Sequence, residues 1–110
     1  MEIIYSDNYC IITPLSPRLG ERECSRLFTE IEINSMFKTG LDLSYVKDCK
    51  IDFFNQIRNY KNLSLYNVNS DIFTLLIIMG LDKFVNIYTT ELDFMENHHR
   101  LINRKFALVA

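Results

Sequence analysis

The chain opens on two β-rich runs, Glu2–Ser6 and Tyr9–Pro14, separated by Asp7-Asn8. That dipeptide tolerates the left-handed conformations of a tight hairpin, so the spacing predicts two antiparallel strands. Ser16-Pro17 reads as an N-cap followed by proline in the first helical turn. Behind it, Cys24, Leu27, Phe28 and Ile31 fall at i, i+3, i+4 and i+7, one apolar stripe that should pack on a sheet. Phe37–Leu43 has the pattern of a third strand, with Ser44 just past its end. A short polar stretch, Tyr45–Lys50, leads into a second helix over roughly Asp52–Tyr60 that buries Phe53, Phe54, Ile57 and Tyr60. Leu63–Tyr66 is the fourth strand. Asn69 or Ser70 caps a third helix, Asp71–Met79, which Gly80 closes. Phe84–Tyr88 is the fifth strand, and Thr89 or Thr90 opens a fourth helix.

The predicted order is ββαβαβαβα. Repeated β-α-β units require right-handed crossovers, hence an α/β fold: a mixed, mostly parallel five-stranded sheet covered by about four helices. With 110 residues the chain has the length of one domain, residues 1–110. The end, Lys105–Ala110, is apolar enough for a last strand or a packed tail.

About half of the residues are hydrophobic and 24% are charged, the balance of a folded globular protein. The net charge of −2 and the scattering of Lys and Arg argue against a nucleic-acid partner, because phosphate-backbone binders concentrate cations on one face. The longest apolar run, Leu75–Leu81, is far below the roughly 18 residues that a membrane span requires. Met1-Glu2-Ile3-Ile4-Tyr5-Ser6-Asp7 lacks the apolar length of a signal peptide. Cys10, Cys24 and Cys49 are odd in number and contain no C-x-x-C pair, which indicates reduced thiols and a cytoplasmic setting.

Chemistry-bearing motifs are scarce. Gly20, Gly40 and Gly80 stand alone, so no phosphate-cradling loop exists, and neither G-x-S-x-G nor H-E-x-x-H occurs. His98 and His99 are adjacent, and on a helix their rings diverge by about 100°, which does not suit one metal ion. His98 shares an apolar stripe with Phe94, Leu101 and Ile102 and reads as a packing residue. Asp48, Lys50 and Asp52 form a charged cluster before helix two, at a sheet rim of the kind where parallel sheets meet ligands. On helix three, Ile72, Leu75, Leu76 and Met79 form the face expected to meet the sheet. Phe73, Ile77 and Ile78 fall outside it, either covered by the tail or helix four, or exposed as an apolar patch.

These residues together resemble a STAS domain, the module shared by sulfate transporters and anti-sigma factor antagonists. Leu41-Asp42-Leu43-Ser44-Tyr45-Val46 resembles the family's strand end, and Leu65–Ile72, Leu75-Leu76, Met79–Lys83 and Ile87-Tyr88 resemble its fourth strand, third helix, turn and fifth strand in order. The likeness spans nearly the whole chain. It breaks at the regulatory site, where antagonists usually carry Asp-Ser-Ser-Gly at the start of helix two. Lys50-Ile51-Asp52-Phe53 stands there, and neither Ile51 nor Asp52 has a hydroxyl to accept phosphate. Shifting the match by two places puts Asp48-Cys49 on the Asp-Ser pair, and a thiol is not a usual kinase acceptor. Asp52 instead supplies a fixed single charge, favourable near a helix N-terminus.

The resemblance implies a bacterial regulatory module that binds another protein, an anti-sigma-factor-like or kinase-like regulator, with no catalytic residues, metal or cofactor. The expected contact residues are Asp48, Lys50, Ile51 and Asp52 at the rim with Phe73 and Ile77 on helix three. Homodimerisation through helix three or the tail is the alternative, and nucleotide binding is a third class.

Overall fold

The computed structural model of the protein describes residues 1–6, 9–88 and Phe94. Its centre is a five-stranded sheet in the order β1-β2-β4-β6-β7: Glu2–Tyr5, Tyr9–Thr13, Lys38–Asp42, Leu63–Tyr66 and Asn86–Tyr88. β1 runs antiparallel to β2, with Glu2 opposite Thr13 and Tyr5 opposite Cys10. The other three pairings are parallel. Three α-helices accompany the sheet among the described residues: α1 (Glu21–Ile33), α2 (Ile51–Ile57) and α3 (Ser70–Ile78). The predicted fourth helix, the His98-His99 pair and the Lys105–Ala110 tail lie outside the described residues, as does the Asp7-Asn8 turn.

The parallel strands have side chains buried on both faces, as such sheets require. Cys10, Ile12, Leu41, Leu63, Leu65 and Ile87 join α1, α2 and α3 in the larger core. The opposite face carries a second cluster of Ile11, Tyr66, Tyr88 and Phe94, with Tyr9 against it. Phe94 stacks on Tyr66 at 5.6 Å and meets Tyr9 and Tyr88 edge-on at 5.7 Å. Its ring rests on Gly40, whose missing Cβ leaves the space the ring occupies.

Several boundaries differ from the sequence expectation. α1 begins after Gly20, not at Pro17, because Arg18–Leu19 forms a short strand, β3, parallel to β5, Asp48–Cys49. The Pro17 carbonyl accepts hydrogen bonds from the Lys47 and Asp48 backbone N–H groups and draws this segment into a ladder. The Glu23 carboxylate accepts from the Gly20 N–H and holds the helix entry. The predicted polar stretch Tyr45–Lys50 therefore contains a strand. β7 starts at Asn86, after a 3-10 turn over Leu81–Lys83 that Gly80 enters at φ 71°, a left-handed conformation suited to glycine.

Candidate functional site

The carboxyl ends of β4 and β6 carry a rim whose backbone is fixed by a small set of side chains. Leu43 N–H donates to the Tyr66 carbonyl and extends the β4–β6 ladder by one residue. The Asp42 carboxylate accepts from the Ser44 N–H at 3.0 Å and from Asn67 Nδ2 at 3.2 Å. Asn67 adopts φ 55°, a left-handed turn that asparagine tolerates better than most residues. Asn69 works in two directions. Its Oδ1 accepts from the Ile72 N–H at 2.8 Å and caps α3. Its Nδ2 donates to the Val46 and Lys47 carbonyls at 3.1 and 3.0 Å. One side chain thus joins the β4–β5 loop to the start of α3.

Beyond that clamp, Lys50 N–H donates to the Leu19 carbonyl at 3.1 Å and the α2 residues begin. Asp48, Lys50, Ile51 and Asp52 are all exposed, Ile51 to 60%. Tyr45 stands beside them in the same loop, 56% exposed. Sequence reasoning placed Tyr45 only at the boundary of the rim. An aromatic side chain just past the predicted strand Phe37–Leu43 was the available signal. Asp48 pairs with Arg18 at 3.5 Å with both side chains 68% exposed, so the contact is a weak, solvent-screened one.

The helix-three residues do not join this surface. Phe73 is buried to 4% exposure among the core residues of α1, α2 and the sheet, which corrects its assignment as a partner contact. Ile77 is half-buried against the same core. The exposed apolar residues of α3 are instead Leu75, at 45%, and Ile78, at 74%. Ile72, Phe73 and Leu76 face inward, whereas Leu75 was expected to do so. The helix Ser-Asp-Ile-Phe-Thr-Leu-Leu-Ile-Ile has apolar residues around most of its circumference. Such a pattern leaves its rotation to packing.

The described residues contain no group of three His, Cys, Asp or Glu side chains that could hold a metal ion. No described helix is long and apolar enough to cross a membrane. A cavity of about 210 Å³ lies at the amino ends of the strands, lined by Ile31, Phe37, Tyr60 and neighbouring polar residues. It is smaller than the roughly 300 Å³ at which pockets begin to enclose drug-sized ligands. Burial pushes the Cys49 thiol up to about 12, aided by nearby Cys24 and Asp48. Such a thiol stays protonated and weakly nucleophilic at neutral pH.

No protein-family model and no curated protein matches the chain. Among solved structures, it is similar to the NMR structure of the protein TM1081, with 22% sequence identity and a TM-score of 0.67. The match covers 86% of this chain and 84% of that one. At this identity the likeness concerns the backbone, and the chain is placed among α/β proteins built on a mixed five-stranded sheet.

Proposed function

We propose that this protein is a non-catalytic, STAS-like protein-binding module resembling an anti-sigma factor antagonist. Apart from the short β3–β5 ladder, its elements follow the ββαβαβαβα order, with a fourth helix after β7, and its partner is an anti-sigma-factor-like or kinase-like regulator in the cytoplasm. Phosphorylation at the usual position of the family does not switch it, since Ile51 and Asp52 occupy that place and offer no hydroxyl. The observation carrying this reading is the rim itself. Tyr45 and Ile51 are large, exposed apolar side chains on a backbone held by Asn69, Asp42 and the β3–β5 pair. Exposed apolar groups on a pre-fixed backbone bind with little ordering entropy, and flanking Asp48, Lys50 and Asp52 supply charge for orientation.

The test is affinity capture from the source cells with wild type, Ile51→Asp, the double variant Asp48→Lys/Asp52→Lys, and Arg26→Glu on exposed α1 as a control. A protein retained by wild type and Arg26→Glu and lost from both rim variants supports the reading. Equal capture by all four refutes it. Self-association through α3 is the second reading, favoured by the exposure of Leu75 and Ile78. Light scattering at micromolar concentration separates the two, since a dimer of this kind becomes a monomer in Ile78→Lys.

A further inference from the structure

Leu19 lies between two cysteines. Its carbonyl oxygen receives Cys24 Sγ from the first turns of α1 at 3.6 Å. The same oxygen accepts the Lys50 N–H at 3.1 Å, one peptide unit beyond Cys49. Leu19 and Cys49 are register partners in the parallel β3–β5 pair, so their side chains leave the ladder on the same side. Leu19 is buried and Asp48, the next residue along β5, is exposed. Strand alternation therefore turns Cys49 toward the core, where Cys24 also lies. Both thiols are free. Cys24 is buried, 2% exposed, beneath a groove of about 400 Å³ between α1 and α2 whose lining it joins, and Cys49 is itself partly exposed.

We propose that Cys24 and Cys49 form a reversible disulfide that ties the start of α1 to β5, directly before the exposed residues Lys50–Asp52. The reaction is exchange with a low-molecular-weight disulfide, for which glutathione disulfide is the probe. At pH 8.5 the small thiolate fraction of Cys49 attacks one sulfur of glutathione disulfide, slowly because burial holds most of the thiol protonated, forming a Cys49–glutathione mixed disulfide and releasing one glutathione thiolate. The Cys24 thiolate then attacks Cys49 Sγ, forming the Cys24–Cys49 bond and releasing the second glutathione. Two protein thiols are oxidised, one glutathione disulfide becomes two thiols, and the two protons lost by the protein pass through solvent to the leaving thiolates. Burial, which raises both thiols, slows the reaction most, and acidic neighbours add to it: Asp48 beside Cys49, and Asp52 and Glu23 on Cys24 with Lys50 opposing them. Exchange therefore quickens as pH rises from neutrality. The modification does not depend on whether the rim binds a partner.

The test uses the full chain under native conditions with excess glutathione disulfide at pH 8.5, quenched by alkylation and digested with trypsin. The expected product joins the peptide Glu23–Arg26 to the peptide Asp48–Lys50, lighter by two hydrogens and separated again by dithiothreitol. Cys10→Ser gives the same link. Cys24→Ala stops at the Cys49–glutathione adduct. The oxidised chain melts about 5 °C or more above the reduced one, because closing a long loop restricts the unfolded state. Recovery of both cysteines alkylated, or of Cys49 linked only to glutathione or to a second chain in wild type, overturns the proposal. A link that forms as readily in 8 M urea as in native buffer overturns it as well, because the fold then contributes nothing.

Discussion

Replacing Gly40 with alanine adds one methyl group at the centre of β4, directly beneath the ring of Phe94. The added Cβ would lie 2.7 Å from Cε2, 2.8 Å from Cζ and 3.1 Å from Cδ2 of that ring. Ordinary carbon contacts begin near 3.5 Å, so the ring or the strand has to move by roughly 1 Å. The ring has little room. It is fully buried, stacked on Tyr66 and held edge-on by Tyr9 and Tyr88. Lys38 Nζ lies 4.7 Å from the ring centroid and donates to the Phe94 carbonyl at 2.8 Å, a second restraint on retreat. Overpacking a site of this kind costs about 1–3 kcal/mol. Removing a strand glycine returns about 0.5–1 kcal/mol of chain entropy. The net expectation is a loss of about 1–2 kcal/mol, which lowers the melting temperature by roughly 5–10 °C for a chain of this size. Far-UV circular dichroism is the readout, since the sequence has no tryptophan. The control is a double-mutant cycle with Phe94→Leu. In that background Gly40→Ala should lose most of its penalty, a coupling of about 1 kcal/mol or more. An alanine variant as stable as wild type, or one equally destabilised with and without the Phe94 ring, refutes this account of how the second face is closed.

Other consequences concern the clamp and the thiols. Asn69→Ala removes the α3 cap and two contacts to the β4–β5 loop, and urea unfolding should register a loss of about 2 kcal/mol. Asn69→Asp keeps the cap acceptor and sets a carboxylate against the Val46 and Lys47 carbonyls, so it should recover only part; wild-type stability in Asn69→Asp would exclude the clamp. Under reducing conditions stability should fall between pH 9 and about 12. Unfolded Cys49 releases its proton from 9.0 upward, while the folded thiol holds it to about 12. The unfolded chain then binds fewer protons, giving a slope of at most about 1.4 kcal/mol per pH unit from this group. Burial raises Cys10, Cys24, Tyr60 and Tyr88 with the same sign. Lys38, lowered by burial, acts oppositely as pH approaches 10.5. Cys49→Ala should flatten the fall in urea midpoints from pH 8 to 10, and an unchanged slope would show that Cys49 is not its source.

Local pattern determined much of this protein. The antiparallel opening pair, the α1 stripe of Cys24, Leu27, Phe28 and Ile31, the strand Leu63–Tyr66 and the Asn69 cap all follow from side-chain spacing and turn chemistry. These signals are local, because hydrogen bonding within a turn and burial of one face act over a few residues. The exposure of Asp48, Lys50 and Asp52 was legible for the same reason, as a charged cluster ahead of the apolar stripe of α2, although the strand within it was not. Tertiary structure decided what spacing could not. Arg18–Leu19 and Asp48–Cys49 are each two residues long, and neither has strand character until the other arrives to complete the ladder. The rotation of α3 was open in a segment apolar on most sides, and only packing selected Ile72, Phe73 and Leu76 for the core, leaving Leu75 and Ile78 outside. Gly40 reads as an ordinary strand glycine until Phe94, 54 residues away, places its ring there. A contact between distant residues leaves no periodic trace in the chain, so its partners become visible only when the sheet brings them together.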